Sequence, residues 1–113
     1  YGDPRMRLVV PVGVAYGTDA EKVKRVLLQA AQEEQQAGGV VLLDPEPFVN
    51  FAAFGESSLD FELMVWIDNS NQVIVTKSAL NFRINQLFAE QGIEIPFPQR
   101  DLHIKTMPVD KQE

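Results

Sequence analysis

The chain has 113 residues, no cysteine and a formal net charge of −6 at pH 7. This length fits one domain with one hydrophobic core, and the lack of thiols excludes disulfide bonds and thiolate metal sites. An acidic chain is a poor partner for nucleic acids and for anionic membrane surfaces, and no apolar run approaches the roughly 20 residues that span a bilayer.

The segment 5–16 alternates in the manner of a β-strand, with Leu8 and Val10 on one side. Pro11 interrupts it, and proline has no backbone N–H to donate to a neighbouring strand. We therefore predict two consecutive strands, of which the first ends at Val10 and the second covers residues 12–16.

A helix is predicted next. Thr18 and Glu21 have the spacing of a capping box, in which the N-cap hydroxyl and the N3 carboxylate each accept a bond from a free backbone N–H. The apolar residues that follow recur with the helical period, and Gly38-Gly39 ends the helix. The buried face is predicted to contain Val23, Val26, Leu27, Ala30 and Ala31.

Two longer strands are predicted at 48–54 and 59–67, joined by the hairpin loop 55–58, and a short edge strand is predicted at 40–43. Strict alternation in segment 59–67 indicates one buried and one partly solvated face. The buried face contains Leu59, Phe61, Leu63, Val65 and Ile67, and the other contains Asp60, Glu62, Met64, Trp66 and Asp68.

Residues 72–91 are predicted to form a second helix that stops at Gly92, and residues 100–106 a last strand. The resulting order is β-α-β-β-α-β. This order indicates an α+β, ferredoxin-like sandwich with two helices on one face of a mainly antiparallel sheet. The core stripe of the second helix is predicted to contain Val73, Leu80, Ile84, Leu87 and Phe88.

Few residues could carry chemistry. His103 is the one histidine, and no nucleophile is placed to work with it. Asp60 and Glu62 share a strand face and could bind a hard cation, but this spacing is typical of a solvated face. Segment 13–18 precedes a helix yet lacks the glycine patterns that bind phosphates. We predict no catalytic residue, no cofactor and no metal site.

The aromatic residues allow a different hypothesis, because RNA-recognition domains share this topology and stack bases on the open face of the sheet. Phe51, Phe54, Phe61 and Trp66 could serve in this way. The predicted open face, however, is acidic and would repel phosphates. No nucleic-acid partner is therefore expected.

An apolar patch is the remaining candidate site. Met64 and Trp66 belong to the half-solvated strand face, and Val75, Ala79 and Phe82 to a face of the last helix adjacent to its core stripe. We expect these two sets to lie beside each other and to contact an identical subunit.

Several punctuated segments, taken in order and spacing, resemble the C-terminal cytoplasmic α/β domain of the small-conductance mechanosensitive channel (MscS) family. The resemblance covers about Arg5 to Lys105. The segments that carry it are Pro11–Asp19, Asp44–Val49, Gly55–Phe61, Val65-Trp66 and Gly92–Asp101.

The resemblance implies a homoheptameric channel of the bacterial inner membrane, which opens under bilayer tension and releases solutes in osmotic shock. Its cytoplasmic domain would form part of a cage wall with lateral portals, with identical subunits as partners. The transmembrane helices, which alone contact the membrane, are expected outside these residues. On this basis, residues 1–10 belong to the last strand of a preceding β domain, 11–106 to the ferredoxin-like domain and 107–113 to a tail.

Two other classes of function are open at this point. The domain could be a ferredoxin-like small-molecule sensor, which would need a closed polar pocket at a sheet edge, or a simple oligomerisation domain. An enzyme is the least favoured class, because no cluster of polar side chains converges in the sequence pattern.

Overall fold

A computed structural model of the chain describes residues 5–96. Four strands and two helices follow one another there, and a single 3-10 turn, Ser70–Gln72, precedes the second helix. The predicted last strand, 100–106, and His103 lie outside the described residues. The elements are β1 (Met6–Val14), α1 (Ala20–Gln36), β2 (Val41–Leu42), β3 (Phe48–Phe54), β4 (Leu59–Ile67) and α2 (Val73–Gln91).

The sheet is built around β4, which pairs antiparallel with every other described strand. β1 lies along one edge of β4, and β3 and then β2 lie along the other. Because β1 and β3 both run opposite to β4, they are parallel to each other and are connected through α1. This is a split β-α-β unit, and it confirms the predicted α+β class with two helices and a mainly antiparallel sheet.

β1 is one continuous strand, so the predicted break at Pro11 is wrong. Its register with β4 runs without a shift from the pair Met6–Ile67 to the pair Val14–Leu59 and includes Pro11. From the sequence, residues 1–10 are assigned to the last strand of a preceding β domain. That domain boundary stays a prediction.

The direction of the backbone groups explains how β1 accommodates a proline. Just after the strand, Ala15 N donates to Glu94 O at 2.9 Å and not to β4. Backbone N–H groups of alternate residues point to the same side of a strand. The missing N–H of Pro11 therefore falls on the outer edge of β1, where β4 needs no donor.

The N-terminus of α1 also differs from the predicted capping box. Asp19 is the N-cap, and its Oδ1 accepts bonds from Glu21 N at 3.0 Å and Lys22 N at 3.4 Å. The Thr18 hydroxyl donates instead to Ala15 O at 2.6 Å within the turn at Gly17, whose φ is +91°. Because that turn uses Thr18, the next acceptor along the chain becomes the cap.

The core lies between the sheet and both helices. The predicted buried faces of α1 and β4 are confirmed, and β1 adds Leu8, Val10 and Val14 to them. In α2, Val73 is only half-buried, and the sequence analysis missed Thr76, which is 4% exposed. The other four residues of the predicted α2 stripe are buried, namely Leu80, Ile84, Leu87 and Phe88.

The helix cap gives a first testable expectation. Substitution D19A should lower the free energy of unfolding by about 1 kcal/mol, because two backbone N–H groups lose their acceptor. The matched variant E21A should cost only a few tenths of a kcal/mol, since Glu21 interacts with the helix dipole alone. Urea unfolding of the chain measures both. If E21A lowered the free energy of unfolding more than D19A, the predicted capping box would be correct.

The buried hydroxyl of Thr76 leads to a second testable prediction. No residue at positions 5–96 forms a hydrogen bond to it, and a buried hydroxyl without a partner costs about 1 kcal/mol or more. T76V keeps the shape of the side chain and should raise the urea midpoint at an unchanged slope. T76S, which keeps the hydroxyl and removes the methyl group, should lower it. Equal or lower stability of T76V would show that the hydroxyl has a partner.

Candidate subunit interface

The outer side of α2 carries an exposed apolar surface, which we call the α2 surface. Ile74 is 83% exposed, Val75 63% and Phe82 75%, and Ala79 between them is half-buried. At 100° per residue these positions fall on the side of the helix opposite to the core residues Leu80 and Ile84. The surface is thus a second apolar face and not a widening of the core stripe.

The placement of α1 explains why this face is uncovered. Arg83 of α2 reaches Glu34 Oε1 at 3.1 Å and Glu33 Oε1 at 3.4 Å, close to the end of α1. Lys22 Nζ, near the start of α1, donates to Gln91 O at the end of α2 over 2.7 Å. The helices are therefore antiparallel, and the first two turns of α2 extend past the C-terminus of α1.

A shallow groove of about 630 Å³ follows the α2 surface. Of the described residues that line it, Lys77 alone is charged, and the others are apolar or neutral and polar. Three of the seven lining residues are apolar and four are polar, a mixture that is typical of the polar rim of a protein contact. The lining residues are Val73, Ile74, Lys77, Ser78, Asn81, Phe82 and Asn85.

A second apolar surface lies on the face of the sheet that carries neither described helix. The pairing register places Val9 and Phe48 beside Met64, and Leu42 beside Trp66, all on this face. We call these five residues the sheet surface. Met64 is its floor with 9% exposure, Phe48 at its border is 43% exposed, and the remaining three are intermediate.

The five predicted contact residues therefore form two groups. Met64 and Trp66 are together on the sheet surface, and Val75, Ala79 and Phe82 are together on the α2 surface. Leu63 and Val65 point from β4 into the core that also holds Leu80 and Ile84 of α2. The core thus separates the two groups, and the expectation that they lie side by side is wrong. Their role in subunit contact stays a prediction.

Four residues of these surfaces were not predicted from the sequence. Ile74 could have been found, because it lies eight positions before Phe82 on the same helical face. The three from other strands, Val9, Leu42 and Phe48, become neighbours of Met64 and Trp66 only through strand pairing, and no local pattern indicates that register.

The other candidates for chemistry are structural within residues 5–96. The Ser58 hydroxyl donates to Asp60 Oδ1 at 2.6 Å, and no group of three or more potential metal ligands exists in this range. The turn before α1 uses its polar groups internally, as the Thr18 bond shows. No helix of this part of the chain is both long and apolar enough to cross a bilayer.

The three phenylalanines considered for base stacking do not lie on the open face. Phe51 stacks on Phe61 with ring centroids 4.6 Å apart, and Phe54 is 5.1 Å from Phe51. By register, Phe51 is opposite Phe61, whose side chain is in the core, so the cluster is on the helix side of the sheet. The arrangement of an RNA-recognition sheet is therefore not formed.

Comparison with known proteins gives one consistent result. The family model described as the C-terminal part of the mechanosensitive ion channel MscS matches residues 8–95. An uncharacterized MscS family protein of Haemophilus influenzae is 48% identical over 99 residues, which make up 88% of this chain and 9% of that protein. Mechanosensitive channel MscK of Escherichia coli is 43% identical over 102 residues, 90% of this chain and 9% of MscK.

Structural comparison agrees. The crystal structure of Helicobacter pylori MscS in its closed state matches with a TM-score of 0.69 and 25% sequence identity. The match covers 97% of this chain and 40% of the Helicobacter chain. Since this chain spans 9% of the length of the two curated relatives above, the similarity concerns one domain of those proteins.

A substitution in the α2 surface tests whether it is free of a structural role. F82Q should change the free energy of unfolding of the isolated chain by less than about 0.5 kcal/mol, because Phe82 is 75% exposed. The control L80A, on the opposite side of the helix and 0% exposed, should cost about 3 kcal/mol. A loss for F82Q near that of L80A would mean that Phe82 belongs to the core.

Proposed function

Because the chain belongs to the MscS family of mechanosensitive ion channels, as a C-terminal domain, we propose that it forms part of the wall and lateral portals of a homoheptameric cytoplasmic cage. The observation that carries this proposal is the pair of apolar surfaces that residues 5–96 leave uncovered. Exposed apolar patches of this kind on a small domain are typical of protein contacts. In a cage, identical copies would cover them.

The proposal extends to the whole channel. The full-length protein lies in the bacterial inner membrane, with this domain on the cytoplasmic side, and releases solutes when bilayer tension rises in osmotic shock. Contact with the membrane is made by transmembrane helices that are not among these residues. Each copy of the domain contributes a net charge of −6 to the cage, and this charge biases which ions approach the portals.

The family consists of channels and not of enzymes. We accordingly propose that this domain performs no reaction on a substrate and needs no cofactor. The alternative of a small-molecule sensor has less support, because the groove along α2 is shallow and its walls hold a single charged side chain among the described residues.

The experiment uses the full-length protein, expressed in bacteria that lack their own osmotic-release channels. We expect survival after transfer from high to low osmolarity, tension-activated currents in membrane patches, and a purified particle with the mass of seven copies. The control is the same protein without residues 8–95, which should fail to form the stable particle. A lack of tension-activated current would contradict the proposed channel function. A particle with another number of subunits would contradict the proposed heptamer.

A further inference from the structure

We propose that neighbouring copies of this chain pack head to tail, with the α2 surface of one copy against the sheet surface of the next. The inference rests on the proposed function, since it assumes a ring of identical subunits. Beyond the proposed ring, the inference specifies the two surfaces through which neighbouring copies make contact.

Symmetry supplies the first argument. A ring of more than two copies closes only through heterologous contacts, in which two different surfaces of the same chain meet. The part of the chain that the structure describes has two uncovered apolar surfaces, separated by the core. One includes Phe82 on α2 and the other Trp66 on the sheet. Two patches on opposite sides of a molecule suit a ring, whereas a single patch would suit a two-fold dimer.

The shapes of the two surfaces also favour contact between them. On the α2 surface the side chains of Ile74 and Phe82 stand out from the helix, exposed by 83% and 75%, at the border of the shallow groove. The sheet surface is flat, and its floor is Met64, a flexible side chain that adapts to what packs on it. Helices already cover the other face of the same sheet, so a helix from the next copy would complete a helix–sheet–helix layer.

The charged residues at the borders of the two surfaces favour the same pairing. Identical copies that each carry −6 repel one another, so a contact needs local compensation. Lys77 is the charged residue of the α2 groove. Asp60 and Glu62 alternate on β4 with the core residues and so share the face of Met64, where register places them beside Gly13 and Pro11. Arg7, opposite Trp66, adds a positive charge at the other end of the same face. The proposed pairing therefore places Lys77 at the end of the sheet surface that carries Glu62.

Cysteine cross-linking in the full-length protein tests this pairing. The chain has no native cysteine, and any cysteine elsewhere in the protein is replaced by serine. One variant combines F82C with F48C, and a second combines I74C with F48C, so that a folding defect in one does not end the test. Single variants F82C and F48C are the controls, and a short bis-maleimide joins thiols without an oxidant.

The head-to-tail contact predicts a ladder of cross-linked species beyond the dimer for a double variant and none for either single variant. Dimers from F82C alone would show two α2 surfaces in contact and overturn the pairing. A purified protein that remains a ring by light scattering, yet gives no ladder from either double variant, overturns it as well. A protein that forms no ring at all contradicts the proposed function instead.

A charge exchange gives an independent measurement. K77E should lower the yield of the cross-linked ladder about threefold, and the added substitution E62K should restore it, as for an ion pair at the border of an interface. The control is K24E, the same charge reversal at an exposed lysine of α1 away from both surfaces. It should leave the yield of the cross-linked ladder unchanged. Loss with K77E that E62K does not repair would contradict this contact.

Discussion

The pairing of β4 with every other described strand is the constraint on which the rest of the structure depends. Leu63 and Val65 of this strand are completely buried under the helices, and Met64 and Trp66 between and after them point the opposite way. One strand thereby determines both the core and the apolar side chains left outside it. A shift of its register by one residue would exchange the two faces, so burial of the core holds the sheet surface in place.

Local periodicity was sufficient to predict β3, β4 and the end of α2, because alternation and helical spacing report which side chains a single element buries. It was insufficient where the outcome depends on a neighbour. Pro11 fits into a continuous strand because its missing N–H points away from β4, and only the pairing shows that direction. Thr18 and Asp19 are both good N-caps, and the choice between them follows from the turn at Gly17.

The same limit applies to the candidate interface. Each predicted contact residue lies in the strand or helix that was predicted for it. The relation between the two elements, however, depends on the side of the sheet on which α2 packs. Sequence patterns describe the faces of one element and do not say which layer an element joins. Val9, Leu42 and Phe48 became visible only when the register with β4 was known.

The proline in β1 has a consequence beyond its own strand. Among the described residues β1 pairs with β4 alone, and a strand edge that is left unpaired presents a row of backbone N–H and C=O groups. Such edges invite strand-to-strand addition and aggregation, above all where identical chains are held at high local concentration. Pro11 removes a donor from the middle of this edge, which makes the strand a poor template for fibre-like growth. A residue that the sequence pattern marks as a break in the strand thus disfavours the addition of a further strand at this edge.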